Sequence, residues 1–323
     1  MNIILHAIPH GIASPSQSKR LRHYKHTFVS AFTPFLFLIP AIFPALALGF
    51  EPNTVQPDAA FAADSPRYQL VPLVWSNTPS DKPPKFYYPN PMRPYMRRLN
   101  ENYHIGEMTA DARSDLERVK IVCNWVSYQW KHHGDCPKQK NDPIAILEAA
   151  RSGAEFSCYE YAMVVAACLN AIGIKSRIVV LLPHDVERRP DGNYHVVAEA
   201  YLNNRKKWVM VDAQWNAVPT LNRYPLSIAE LQNAIAKGLW AIDFGDIREE
   251  SPGIYQREMG PYLHYLYTPL DNRVIGATSP ANVAGGVMLI PMGDKPPRRF
   301  AMAPIGKFIV TNAVADFYGT AQP

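Results

Sequence analysis

SCYEYAMVVAACLNAIG, Ser157 to Gly173, is a helix with both ends written into it. Ser157 and Glu160 form the S-x-x-E capping box that opens a helix, with Ser157 at the cap and Glu160 at the third helical position. Gly173 suits the left-handed conformation that ends one. Between them, Ala162 to Leu169 is apolar on every side, so the helix is expected inside the molecule. Cys158 then falls at the first helical position, beside unpaired backbone N–H groups and the positive end of the helix dipole. That setting favours the thiolate, the nucleophilic form of cysteine. A lone capped cysteine is more often a small buried apolar residue, so its role turns on the downstream strands.

Ser176 to Leu182 (SRIVVLL) reads as a buried strand. His195 to Leu202 (HVVAEAYL) and Lys207 to Ala213 (KWVMVDA) read as two more, joined at Asn203-Asn204. Strand side chains alternate, so His195, Val197, Glu199 and Tyr201 share one face. A two-residue Asn203-Asn204 turn places His195 directly opposite Asp212. A four-residue loop, Asn203 to Lys206, places Asp212 diagonal to it on the same face, and an odd-length loop separates them. Asn-Asn suits the positive φ of a tight turn, which favours the even registers. His195 and Asp212 are then within hydrogen-bonding range, the carboxylate orienting the imidazole.

The order Cys158, His195, Asp212 resembles the transglutaminase-like superfamily, whose core is similar to that of papain-type cysteine proteases. The matching pieces are FSCYEYA around Cys158, AIGIKSRIV after its helix, HVVAEAYL at His195 and KWVMVDAQWN at Asp212. The resemblance covers about residues 114–216 and is that of an exported, bacterial-type member. It implies a catalytic triad of Cys158, His195 and Asp212. It does not separate hydrolysis from acyl transfer, because the superfamily holds crosslinking enzymes, peptidases, amidases and members without activity.

Across 323 residues, 33 basic and 28 acidic side chains leave a formal net charge of +5, part of it in the N-terminal segment. That is too weak for a nucleic-acid partner, and no basic cluster is interleaved with aromatics. Residues 1–62 read as an export signal: Lys19, Arg20, Arg22 and Lys25 precede Thr27 to Phe50, which carries no charge. The run is long enough to span a bilayer. Pro34, Pro40 and Pro44 fit a straight anchor poorly, and small-x-small cleavage sites occur at Ala47 and Ala62. Two expectations therefore stand, a cleaved signal peptide or a membrane tether through residues 27–50. Either way the rest of the chain is expected outside the cytoplasm, periplasmic or extracellular.

Asp64 to Pro94 carries eight prolines with aromatics between them, so residues 63–113 are expected to form an extended arm lying against the domain. Ser114 to His132 reads as a second capped helix, with Leu116, Val119, Cys123, Val126 and Trp130 at helical spacing. Superfamily members often place a Trp or Gln ahead of the cysteine to help hold the oxyanion. Trp125, Gln129 and Trp130 are available, although Trp130 lies on the apolar stripe and reads first as core. The Cys158 backbone N–H is the simpler donor. Cys136 either bridges Cys123 or pairs with nothing, and Cys168 reads as a packed thiol. His132-His133-Gly134-Asp135-Cys136 lacks a second ligand pair at zinc-like spacing and reads as a loop beside a helix C-terminus, where a protonated histidine is favoured. No metal or cofactor is expected.

The expected fold is α+β, papain-like or transglutaminase-like: the Cys158 helix packed on an antiparallel sheet bearing His195 and Asp212, with a catalytic core over 114–216. Residues 217–323 are expected to add a helix, opened by the capping box of Ser227 and Glu230, and then strands and loops. The implied activity is cysteine-dependent acyl transfer on amide bonds, with a protein, peptide or cell-wall peptide as substrate. The alternative is an inactive binding or assembly protein of the cell envelope that keeps the fold.

Overall fold

The computed structural model describes residues 70–134, 141–189, 194–239, 241–248, 251–273, 285–299 and 308–319. The apolar run 27–50, both cleavage positions and Cys136 lie outside the described residues. Five helices come first: α1 (Pro94–Tyr103), α2 (Ile105–Met108), α3 (Asp115–Ser127), α4 (Pro143–Arg151) and α5 (Cys158–Ala171). Strands β1 (Ser176–Leu182), β2 (His195–Leu202) and β3 (Lys207–Val211) come next, then β4 (Thr220–Leu221) and β5 (Tyr224–Pro225). After helix α6 (Ile228–Ala236) come β6 (Ile242–Asp243), α7 (Pro252–Met259), β7 (Tyr265–Pro269), β8 (Gly286–Leu289), β9 (Ile309–Thr311) and α8 (Val314–Tyr318).

The main sheet has the order β3-β2-β1-β7-β8-β9 and is antiparallel except for the β8–β9 pair. The fold is α+β. Helix α5 is buried on every side because it lies between this sheet and a helical layer of α1, α3 and α4. Its inner side meets Ala198, Ala200 and Leu202 of β2. Val197 and Tyr201 of the same strand point the other way, into a second core with Leu231 of α6 and Tyr255 of α7. A strand buried on both faces has to be apolar almost throughout, which is how β1 and β2 read.

The β2–β3 register settles the hairpin. Leu202 pairs with Lys207 and Ala198 with Val211, so the connection is the four-residue loop Asn203–Lys206 and not the tight two-residue turn. The Arg205 N–H closes it onto the Leu202 carbonyl at 3.1 Å, and the positive φ falls on Lys206, at 50°, rather than on either asparagine. Asp115 of α3 accepts the Asn203 N–H at 2.9 Å and ties the loop to the helical layer.

Two boundaries differ from the sequence expectation. From residue 70 the arm is extended only to about residue 92; α1 and α2 occupy much of the stretch from there to 113. Pro94 at the first position of α1 starts a helix, where a missing N–H costs nothing. Helix α3 stops at Ser127, short of His132. The Tyr161 hydroxyl donates to the Trp130 carbonyl at 2.6 Å, and the His133 N–H to the Phe156 carbonyl at 2.9 Å. These bonds draw the chain out of the helix and lay it beside the segment leading to Cys158. Among the described residues no helix is long and apolar enough to cross a membrane.

Candidate active site

The capping box at Ser157 is formed as the residues imply. The Ser157 hydroxyl accepts the Tyr159 N–H at 3.3 Å and donates to the Glu160 carboxylate at 2.6 Å, which also accepts the Ser157 N–H at 3.1 Å. Cys158 is therefore fixed as the first residue of α5, with its side chain against Ala162, Val180 and Val196. It is 9% exposed, whereas Cys123 and Cys168 are fully buried. Among the described residues Cys123 is a free thiol and donates to the Asp212 carbonyl at 3.7 Å. Burial pushes the thiols of Cys123 and Cys168 well up from the ordinary cysteine range.

His195 opens β2 at the end of the sheet that faces the start of α5. Its Nε2 lies 2.9 Å from Oδ2 of Asp212, and Cys158 is near enough to act on the charge of the ring. With Nε2 on the carboxylate, Nδ1 is the nitrogen left for the sulfur. Asp212, just beyond β3, is diagonal to His195 on the same face, as the four-residue loop requires. Burial alone depresses the His195 pKa, but the charge and hydrogen bond of Asp212, aided by Cys158, outweigh it and push the value up to about 10. Asp212 thereby favours the protonated ring, which donates to it through Nε2.

That shift has a consequence for stability. The folded value lies above the ordinary 6.5, so folding tightens proton binding. The contribution is complete below about pH 6.5 and lost as pH rises through about 10. The melting-temperature difference between the wild type and His195→Gln should be widest near pH 6 and narrow steadily toward pH 10. A difference independent of pH would mean that the imidazolium is not stabilised by its neighbours.

Asp212 is held from four directions. Oδ2 accepts from His195 and from the Tyr255 hydroxyl at 3.0 Å; Oδ1 accepts the N–H groups of Gln214 at 3.1 Å and Trp215 at 3.4 Å. The backbone of Asp212 pairs with Ala217 in both directions at 2.9 Å. Tyr255 is itself packed edge-on by Phe244 and Trp215.

Residues 104–213 match the sequence profile of the transglutaminase-like superfamily. This segment is a transglutaminase-like core. A candidate cysteine protease of Cytophaga hutchinsonii is 13% identical over 49% of this chain and 52% of its own, with a TM-score of 0.30. The red sea bream transglutaminase is 15% identical over 36% of this chain and 24% of its own (TM-score 0.26). A candidate protease of Parabacteroides distasonis is 16% identical over 36% and 25% (TM-score 0.25). The chain thus spans about a quarter to a half of the length of these solved chains. No curated protein of similar sequence was found.

Around the transglutaminase-like core the structure adds residues that the sequence did not single out. Tyr255, on α7, is the hydroxyl donor to Asp212, and the Tyr262 ring stands 6.2 Å from that of His195. Neither belongs to a motif; an N-capping Ser251 before Pro252 was the signal for α7 itself. Of the side chains weighed as oxyanion donors, Trp130 keeps its Nε1–H buried without a hydrogen-bond partner. Gln129 donates to the Trp125 carbonyl at 2.9 Å, and the Trp130 ring is packed between Phe156 and Tyr161. His132 does not gain a proton from a helix end. Burial, and then the charge on His195, lower its pKa.

Proposed function

We propose that the chain is an exported cysteine-dependent acyl-transfer enzyme that acts on amide bonds through Cys158, His195 and Asp212. The observation that carries this reading is the His195 ring hydrogen-bonded to the Asp212 carboxylate at the end of the sheet that faces Cys158, the first residue of a buried helix. The Cys158 thiolate attacks the amide carbon, and the Cys158 backbone N–H stabilises the oxyanion. Collapse of the tetrahedral intermediate breaks the C–N bond, and His195 delivers its Nδ1 proton to the departing amine. The acyl-thioester is resolved by water, as in a peptidase or amidase, or by an amine such as a lysine side chain, as in a transglutaminase. With water, His195 regains the proton from the nucleophile.

The test is a panel of exported peptides and cell-wall peptide fragments, each incubated with and without an added primary amine. Amine-dependent formation of a new amide marks a transferase; release of the free acid alone marks a hydrolase. Failure to trap any acyl-thioester on Cys158 across the panel would favour an envelope binding or assembly protein that keeps the fold.

Asp212→Asn separates an orienting carboxylate from a structural one. All four partners of Asp212 donate to it, whereas an Asn amide accepts through one oxygen only. Leaving that oxygen on the two backbone N–H groups turns the NH2 toward His195, which favours the tautomer carrying its proton on Nδ1. A ring in that form cannot take the thiol proton. A serine-protease triad loses about 10⁴-fold from the same change, and papain-type sites tolerate Asn, so a loss on the order of 10³-fold is expected here. Steady-state kinetics at neutral pH read it, and an unchanged rate would remove Asp212 from the catalytic unit.

A further inference from the structure

A second cluster of chemically able side chains lies at the same end of the sheet. His184 comes after β1, His264 precedes β7 and Asp294 comes after β8, and these three strands are neighbours in the sheet. Leu182 pairs with Tyr265 and Leu266 with Leu289, so the chain ends leaving β1 and β8 emerge on either side of the one entering β7. Side chains distant in sequence are thereby gathered at one point. Nε2 of His264 lies 2.6 Å from Oδ2 of Asp294, and the His184 ring stands edge-on to His264 with centroids 4.8 Å apart. One donor atom from each of the three residues falls within 4.8 Å of the others. The nearby carboxylate of Asp185 is turned away, onto Arg189 at 2.7 Å.

We infer that His184, His264 and Asp294 form a binding site for a divalent transition-metal ion of the zinc type. Two imidazoles and one carboxylate are a donor set that such ions take with a further position open to water. Ca²⁺ and Mg²⁺ want oxygen ligands throughout and suit it poorly. Bonds of about 2.05 Å in a tetrahedron put donors roughly 3.4 Å apart, so closure from 4.8 Å asks for a movement of about 1.4 Å. His184 is exposed on a loop and has the freedom to make it. The ion would displace the proton shared by His264 and Asp294. His184, His264 and Asp294 all line a cleft of about 420 Å³, together with Leu70 to Val74, Gln232 and Met292. This inference is independent of the reading of Cys158, although Tyr262, two residues before His264, reaches to the His195 ring.

The experiment titrates Zn²⁺ alone, and Co²⁺ as a spectroscopic probe, into the full chain in a Cys158→Ala background, which removes the thiolate as a rival ligand. One equivalent should bind with visible Co²⁺ d–d absorption, and a tenfold excess of Ca²⁺ or Mg²⁺ should not displace it. His184→Ala leaves an exposed loop otherwise intact, and Asp294→Asn is nearly isosteric. Each should weaken binding by at least 10- to 100-fold, the range that loss of outer-shell partners alone produces. Binding should also raise the melting temperature, and that rise should vanish in His184→Ala. Absence of binding, binding unchanged in both variants, or equal competition by Ca²⁺ would each overturn the site.

Discussion

Cys158→Ala should remove turnover, by on the order of 10⁶-fold if the nucleophile of a catalytic unit is lost, while leaving the fold intact. The sulfur fills little space at the first turn of α5, alanine is the best helix former, and the capping box of Ser157 and Glu160 does not involve the thiol. Far-ultraviolet circular dichroism and melting should therefore match the wild type closely. His195→Ala should lose rate to a similar extent, and the double variant should be no worse than either, because the two groups act as a unit. In a Cys136→Ser background, a haloacetamide should label Cys158 in preference to Cys123 and Cys168, since thiols that are fully buried and pushed toward the protonated form react slowly. An alanine variant that kept a tenth of the rate, or losses that multiplied in the double variant, would refute a shared catalytic role. Equal binding of a peptide ligand by wild type and Cys158→Ala, with no turnover in either, would point to the envelope-binding alternative.

Legibility in the sequence depends on how far each interaction reaches along the chain. Helix α5 was legible because its caps and its apolar body are local, and the face shared by His195 and Asp212 was legible because strand alternation needs only an even loop. The loop length stayed open between two and four, since both satisfy that parity. The early end of α3 was hidden: Leu116 to Trp130 keeps helical spacing, but Tyr161 and Phe156, from the α5 region, compete for its last turn. Pro94 read as a breaker because the same residue ends one element and begins another, depending on which side of it the helix lies. Tyr255 stands 43 residues from Asp212 and meets it only through the packing of α7. Arg177 sat unnoticed in an apolar strand, although Glu199 was already placed on the face of His195; pairing β1 with β2 puts the two directly opposite each other.

That pair is where the largest loss of stability is expected. Arg177 and Glu199 have no side-chain exposure, with Nη2 2.7 Å and Nε 3.2 Å from Oε2 of Glu199. The guanidinium also donates to the Phe317 carbonyl at 2.6 Å and lies over the rings of Trp208 and Phe317, both 4.4 Å from their centroids. Oε1 of Glu199 accepts the Ile228 N–H at 3.0 Å and the Tyr318 hydroxyl at 3.1 Å. One ion pair thus ties β1 and β2 to the first residue of α6 and to α8, and the arm reaches it through Phe86. Removing one partner strands the other charge in the core, so Arg177→Met or Glu199→Leu should each cost about 3–5 kcal/mol in urea unfolding. The double variant should recover part of that, because no charge is left unpaired. Recovery should be incomplete, since the Ile228 N–H and the Phe317 carbonyl lose their partners, at about 1–3 kcal/mol for each buried group left unsatisfied. The damage should show first as faster amide exchange in α8, while kcat measured well below the melting temperature stays near wild type, because the pair touches neither Cys158 nor Asp212. Single variants that each lost less than about 1 kcal/mol would show that water reaches the pair and that α8 is held to the sheet by its apolar side chains alone.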